Sequence, residues 1–191
     1  MVKPLNSPTL NDGLMDPCHA WVCREEASTH LAQTQGPLSG ITVGVKDIIV
    51  TKDFPTQFGT TLPASAFTDL LGMGDASSVA MLRQAGARII GKTVTTELAT
   101  FRPGPTLNPW RHERTPGGSS SGSAVAIATG DVSLALATQT AGSIGRPAAF
   151  CGVLGFKPSF DRLATEGVLM TSKTLDTLGL MAQSVDTLQR S

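Results

Sequence analysis

The chain has 191 residues, 40% hydrophobic and 16% charged, and its fifteen basic and fifteen acidic side chains cancel. That bounds one domain with a sizeable core, or two small ones. It excludes a basic stripe for nucleic acid, a stacking platform for bases (aromatics are 5%, with no tyrosine) and a run of about 18 apolar residues for a membrane span.

In chain order, residues 1–36 read as a loosely structured arm with one helical piece, Ala20 to Gln33, punctuated by Gly36-Pro37. The start, Met1 to Asn6, lacks the apolar stretch of a signal peptide. Ile41 to Val45 alternates weakly and predicts a strand, and Ile48-Ile49-Val50 a second short strand or its continuation. A polar loop with Pro and Gly follows to Gly74. Asp75 is placed to cap a helix carrying Val79, Met81, Leu82 and Ala85 at helical spacing, and Gly86 to end it. Arg88 to Gly91 predicts a buried strand, and Thr95 to Leu98 a helical turn. Loop signals dominate from Pro103 to Gly118. An alanine-rich helix is expected from Ser121 to Thr129, stopped by Gly130, then a strand from Ser133 to Thr138. Pro147 fits the first turn of a short helix through Phe150, and Val153 to Phe156 reads as another strand. Alternating helices and apolar strands predict an α/β sheet covered by helices on both faces, without internal repeats.

Two motif matches fail on context. Gly86-Ala87-Arg88-Ile89-Ile90-Gly91-Lys92-Thr93 satisfies a phosphate-loop pattern, but that loop follows a strand and opens a helix. Here a helix precedes it, and Ile89-Ile90 are strand formers, so Lys92 and Thr93 are expected to end a strand. Ala141-x-Ser143-x-Gly145 resembles a nucleophile elbow, which needs a later acid and histidine. His19, His30 and His112 all lie upstream, and His112, on a polar loop, is assigned no chemistry. Cys18, Cys23 and Cys151 match neither a disulfide framework nor a zinc spacing, and no metal or cofactor is expected; free thiols fit a cytoplasmic location.

Three features remain. The run Gly117-Gly118-Ser119-Ser120-Ser121-Gly122-Ser123 reads as a flexible linker, a structural anion nest, or a loop that aims its hydroxyls inward at a helix N-terminus. Lys46, between Val45 and Ile48, lies where one face must be buried, and reads either as a structural ion-pair partner of Asp47 or a nearby Glu, or as a base. Ser143 sits in an uncharged, small-residue loop. A serine hydroxyl needs something to remove its proton, and a lysine does so only with its charge suppressed.

Together, Gly44-Val45-Lys46-Asp47, Gly117 to Ala124 and Gly142-Ser143-Ile144 resemble the amidase signature family. Gly36 to Asp47, Gly86 to Thr93, Asn108-Pro109-Trp110 and Phe150 to Pro158 extend the resemblance across about Asp16 to Leu188. It implies a mixed central sheet flanked by helices, in a single domain of which residues 1–191 are the N-terminal part. It also implies a Ser–cis-Ser–Lys triad in which Ser143 is the acylated nucleophile, Ser119 the bridging serine after a cis peptide, and Lys46 the base. The amides around Thr140, Ala141, Gly142 and Ser143 correspond to the oxyanion hole. The implied activity is hydrolysis of a small-molecule carboxamide through an acyl-serine.

The sequence departs from the family pattern in two ways. Gln139 stands where the family has an Asp, and Gly145 where it has an Arg; their joint loss implies that the two form a pair. Arg146, three past Ser143, is expected either to grip a substrate carboxylate, as a malonamidase-like branch would, or to pair at the following helix. Second, family domains are longer, and an incomplete sheet exposes apolar surface that favours homo-oligomers. The rival readings are an amide-transferring subunit like that of glutamyl-tRNA amidotransferase, and a non-catalytic remnant that only binds.

Overall fold

A computed structural model describes residues 15–25 and 35–191. Six strands form one mixed sheet: β1 (Trp21–Arg24), β2 (Thr42–Lys46), β3 (Arg88–Thr93), β4 (Leu134–Gln139), β5 (Leu154–Phe156) and β6 (Thr177–Ala182). Their order across the sheet is β1-β3-β2-β4-β6-β5. Strand β2 runs parallel to β3 and β4, while the flanking pairs are antiparallel. The helices are α1 (Thr68–Leu71), α2 (Ser77–Gln84), α3 (Ser121–Ala128), α4 (Gly145–Cys151) and α5 (Val185–Arg190).

Alternation along the strands sorts the core into two layers. Val43, Val45, Leu134, Leu136, Leu178 and Leu180 pack with Val79 and Leu82 of α2 on one face. Ala135, Ala137 and Met181 pack with Ala124 to Ile127 of α3 and Cys151 of α4 on the other. The small strand residues on this second face let α3 lie close to the sheet. Gly122 shows how close: a Cβ there would stand 2.2 Å from the Ala20 carbonyl oxygen and 2.3 Å from the Val94 nitrogen.

Several expectations are corrected. The predicted helix from Ala20 is instead strand β1 over Trp21–Arg24, paired with β3; residues 26–34 of that prediction lie outside the described residues. Asp75 does not cap α2, whose N-cap is Ala76; its carboxylate accepts from the Lys52 amide and pairs with Arg83. Ile49 makes a single bridge to Val168 rather than a strand. Lys46 does not pair with Asp47.

Asp47 instead meets Lys92 across the β2–β3 boundary, Nζ to Oδ1 at 3.3 Å, with both side chains fully buried. The carboxylate accepts from the Gln57 and Gly59 amides, and the ammonium donates to the Ile49 carbonyl and the Thr56 hydroxyl. This network fastens the loop after β2 to the sheet. Removing one partner strands the other charge, so Lys92→Met is expected to cost about 3–5 kcal/mol of unfolding free energy in a denaturant titration. Pairing it with Asp47→Asn should recover part of that loss.

Candidate active site

The parallel strands β2, β3 and β4 end on the same edge of the sheet, and the loops that follow them meet there, where α/β folds gather ligands. Lys46 closes β2 and is wholly buried. Its Nζ donates to Ser119 Oγ at 2.7 Å and to Thr138 Oγ1, near the end of β4, at 2.8 Å. Burial drives this ammonium down to about 7, against the opposing pull of the Asp176 carboxylate. A lysine held there is neutral about half the time at neutral pH and can accept a proton.

Ser119 follows a cis peptide from Gly118. The flanking backbone is held on both sides. Arg146 donates from Nε and Nη2 to the Gly118 carbonyl at 3.0 and 2.8 Å, and the Thr96 amide donates to the Ser119 carbonyl at 3.0 Å. Gly117, at φ 79°, turns the chain into this position; a Cβ there would press on Pro147 at 2.9 Å. The serine cluster is therefore no flexible linker. Ser120 Oγ bonds the Thr138 carbonyl, Ser121 Oγ the Val94 carbonyl, and Ser123 Oγ the Thr93 hydroxyl at 2.7 Å.

Ser143 lies in the turn between β4 and α4, 9% exposed. Its carbonyl accepts from the Ser120 amide at 3.3 Å, which ties the turn to the Ser119 loop. No hydrogen bond engages its hydroxyl among the described residues, nor the amides of Ala141, Gly142 and Ser143. Gly142 has open space, since a Cβ would meet only the Arg146 Cβ at 4.0 Å. The Thr140 hydroxyl donates to Asp176 Oδ1.

Gln139 and Gly145, the two departures, do face each other. Gln139 Oε1 accepts from the Ile144 and Gly145 amides at 2.8 and 3.0 Å, and a Cβ on Gly145 would stand 3.9 Å from that oxygen. The neutral amide takes the role of an Asp by satisfying amides at the start of α4.

A cavity of about 370 Å³ opens beside this loop, lined by Phe101, Arg114, Gly117, Gly118, Arg146 and Phe150 among others. It touches Gly118 and Arg146 but none of Lys46, Ser119 and Ser143. Among the described residues, no group of three His, Cys, Asp or Glu is placed to hold a metal ion, and no helix is long and apolar enough to cross a membrane.

The Amidase family model matches residues 18–190. The chain belongs to the amidase signature family. It is 42% identical over 181 residues to a glutamyl-tRNA(Gln) amidotransferase subunit of Methanospirillum hungatei, covering 91% of this chain and 40% of that protein. Peptide amidase from Stenotrophomonas maltophilia superposes with a TM-score of 0.72 at 40% identity, over 80% of this chain and 33% of that one. The corresponding amidotransferase subunit of Thermotoga maritima gives a TM-score of 0.76 at 33% identity, over 91% and 39%. The chain thus spans between 33% and 40% of the length of these family members. The mixed sheet with helices on both faces is the amidase signature fold in part.

Two elements of the site escape a reading of the sequence. Thr138, the second acceptor for Lys46, looks like an ordinary strand residue. Asp176 lies 33 positions beyond Ser143, in a segment without an apolar pattern of its own.

Proposed function

We propose that this chain carries the nucleophile, bridge and base of an amidase that cleaves a small carboxamide through an acyl-serine. The observation that carries this reading is the buried Lys46 amine, lowered to about 7 and bonded to Ser119 Oγ at 2.7 Å. In the proposed reaction, Ser143 Oγ attacks the carbonyl carbon as its proton passes to Ser119 Oγ, whose own proton moves to Lys46 Nζ. The amides around Thr140, Ala141, Gly142 and Ser143 receive the oxyanion, and those of the last three have no protein partner among the described residues; one such donor is typically worth ~3–4 kcal/mol of barrier. Collapse breaks the C–N bond, and the proton returns through Ser119 to the leaving nitrogen. Water then adds to the ester and releases the acid. A fluorophosphonate probe should label Ser143, located by mass spectrometry of the peptide. A folded chain with no label there would instead favour the non-catalytic remnant.

Arg146 is proposed to read the acyl part of the substrate. Two of its N–H groups hold Gly118, and it lines the cavity together with Arg114, which favours a carboxylate-bearing amide. Arg146→Ala is expected to weaken turnover of every amide, because it frees the Gly118 carbonyl. The loss on carboxylate-bearing amides should exceed that on neutral ones by about tenfold or more, the usual worth of a charged hydrogen bond. Equal losses in kcat/KM on both classes would leave Arg146 with a structural role alone.

A second reading has support from the 42% identity to an amidotransferase subunit. There the acyl-serine forms from glutamine and the ammonia is passed on. Copurification of partner subunits, with glutamine hydrolysis that depends on them, would favour it.

A further inference from the structure

Asp176 lies in the turn before β6, is 7% exposed, and collects donors from two directions. From its own turn it takes the Thr171 amide at 2.6 Å, the Ser172 amide at 2.9 Å and the Thr171 hydroxyl at 3.1 Å. From the nucleophile loop it takes the Thr140 hydroxyl, which also lies 3.0 Å from the Thr171 hydroxyl. A carboxylate offers about four acceptor positions, and these donors fill them. The needs of the turn alone would be met by the two amides; the Thr140 contact spans to the loop that bears Ser143.

We propose that Asp176 is a positioning residue for this site: it fastens the Thr140–Ser143 loop to the 171–176 turn and sets a fixed negative charge opposite the Lys46 amine. The charges around Lys46 leave room for this role. On β2 and β3, Asp47 and Lys92 form their own pair. The start of α3 and the end of β4 present Ser119, Ser120 and Thr138, which are neutral. On α4, Arg146 turns to the Gly118 carbonyl. Asp176 enters no ion pair among the described residues and lines one small pocket with Thr138, whose hydroxyl accepts from Lys46 Nζ at 2.8 Å, while Lys173 and Asp161 line the neighbouring pocket with it. Burial alone would raise the Asp176 carboxyl, but the hydrogen bonds from Thr140, Ser172 and Thr171 outweigh that and hold it below the usual carboxylate range. It therefore stays ionised wherever the enzyme would work, and it opposes the loss of charge that burial imposes on Lys46.

The loop-positioning half of this inference rests on the proposed acyl transfer; the charge half does not, and two readouts keep them apart. The first is the NMR titration of Lys46 Cε in the full chain with ¹³C-labelled lysine, assigned by comparison with Lys46→Met. Asp176→Asn preserves shape and removes charge, so the Lys46 midpoint should fall below the wild-type value. Thr140→Val cuts the tether and keeps the charge, so the midpoint should stay near wild type. The second is the rate of fluorophosphonate labelling of Ser143, measured above the midpoint. Thr140→Val should slow it about tenfold or more, since small misplacements at a reacting centre cost that much. An unmoved Lys46 midpoint in folded Asp176→Asn overturns the charge role, and an unchanged labelling rate in Thr140→Val overturns the tether. If Asp176→Asn does not fold, Asp176→Ser removes the same charge with a smaller side chain and decides the charge role, and Thr140→Val still decides the tether. A wild-type chain that titrates as described yet never labels at Ser143 rejects the acyl-transfer reading, not the charge on Lys46.

Discussion

Ser143→Ala is expected to lower amide turnover by a factor on the order of 10⁴ or more while leaving the melting temperature near wild type. The two halves of this outcome have separate causes. The Ser143 hydroxyl has no hydrogen-bond partner among the described residues, so deleting it strands nothing, and the stability change should stay within about 0.5 kcal/mol. The same oxygen is the atom that would bond to the acyl carbon, and no nearby group replaces it. Ser119→Ala differs. It also removes an acceptor from the buried Lys46 amine, so some loss of stability should accompany the loss of rate. Because the two serines act as one unit, the double variant should lose no more activity than the more damaging single one. Steady-state hydrolysis of a small carboxamide, read beside a thermal melt, checks all three proteins. A Ser143→Ala protein that retains turnover would remove the nucleophile from the proposal.

The parts of this fold that can be read from sequence are those with a local pattern. Strands β2 to β5 and helices α2 to α4 carry apolar spacing, a proline at a first turn or a glycine stop, and each lies within a few residues of its expected place. Strand β1 is hidden because Trp21 and Cys23, its buried positions, precede polar residues that suit a helix equally well; pairing with β3 decides between the two. Strand β6 is buried along its whole length between β4 and β5, so it shows no alternation to betray it. The same distinction holds at the site. Lys46, Ser119 and Ser143 are marked by unusual local composition. The partners that position them are not. Asp47 stands in the turn just after Lys46 closes β2, and its carboxylate meets Lys92 from β3 rather than its neighbour in sequence. Thr138 reaches Lys46 through the register of β4 with β2, which pairs Leu136 with Val45, and Asp176 comes beside β4 through its register with β6, which pairs Thr138 with Leu178 and Gln139 with Thr177. Such long-range adjacency leaves no mark in any one segment.

Lys46→Met should abolish turnover and, in the same protein, remove a pH dependence of stability that the wild type displays. Lys46 accepts a proton only when neutral, and its amine sits at about 7. Wild-type kcat/KM should therefore be level above that value and fall about tenfold for each pH unit below it. Unfolding returns Lys46 to water, where its amine titrates near ~10.4. Below about 7 both states hold the proton, and the contribution is constant at its least favourable. Between about 7 and ~10.4 the unfolded state binds more protons than the folded one, so stability rises with pH. Across that window the rise amounts to roughly 4–5 kcal/mol, and it stops once both states are neutral. Asp47 and Lys92 titrate in wild type and variant alike, so the difference between the two proteins isolates Lys46. Urea unfolding at intervals across that window measures it. The wild type should gain several kcal/mol on Lys46→Met over that range. A difference that stays flat would mean that the ammonium keeps its charge inside the fold, and a permanently charged Lys46 could draw no proton from Ser119.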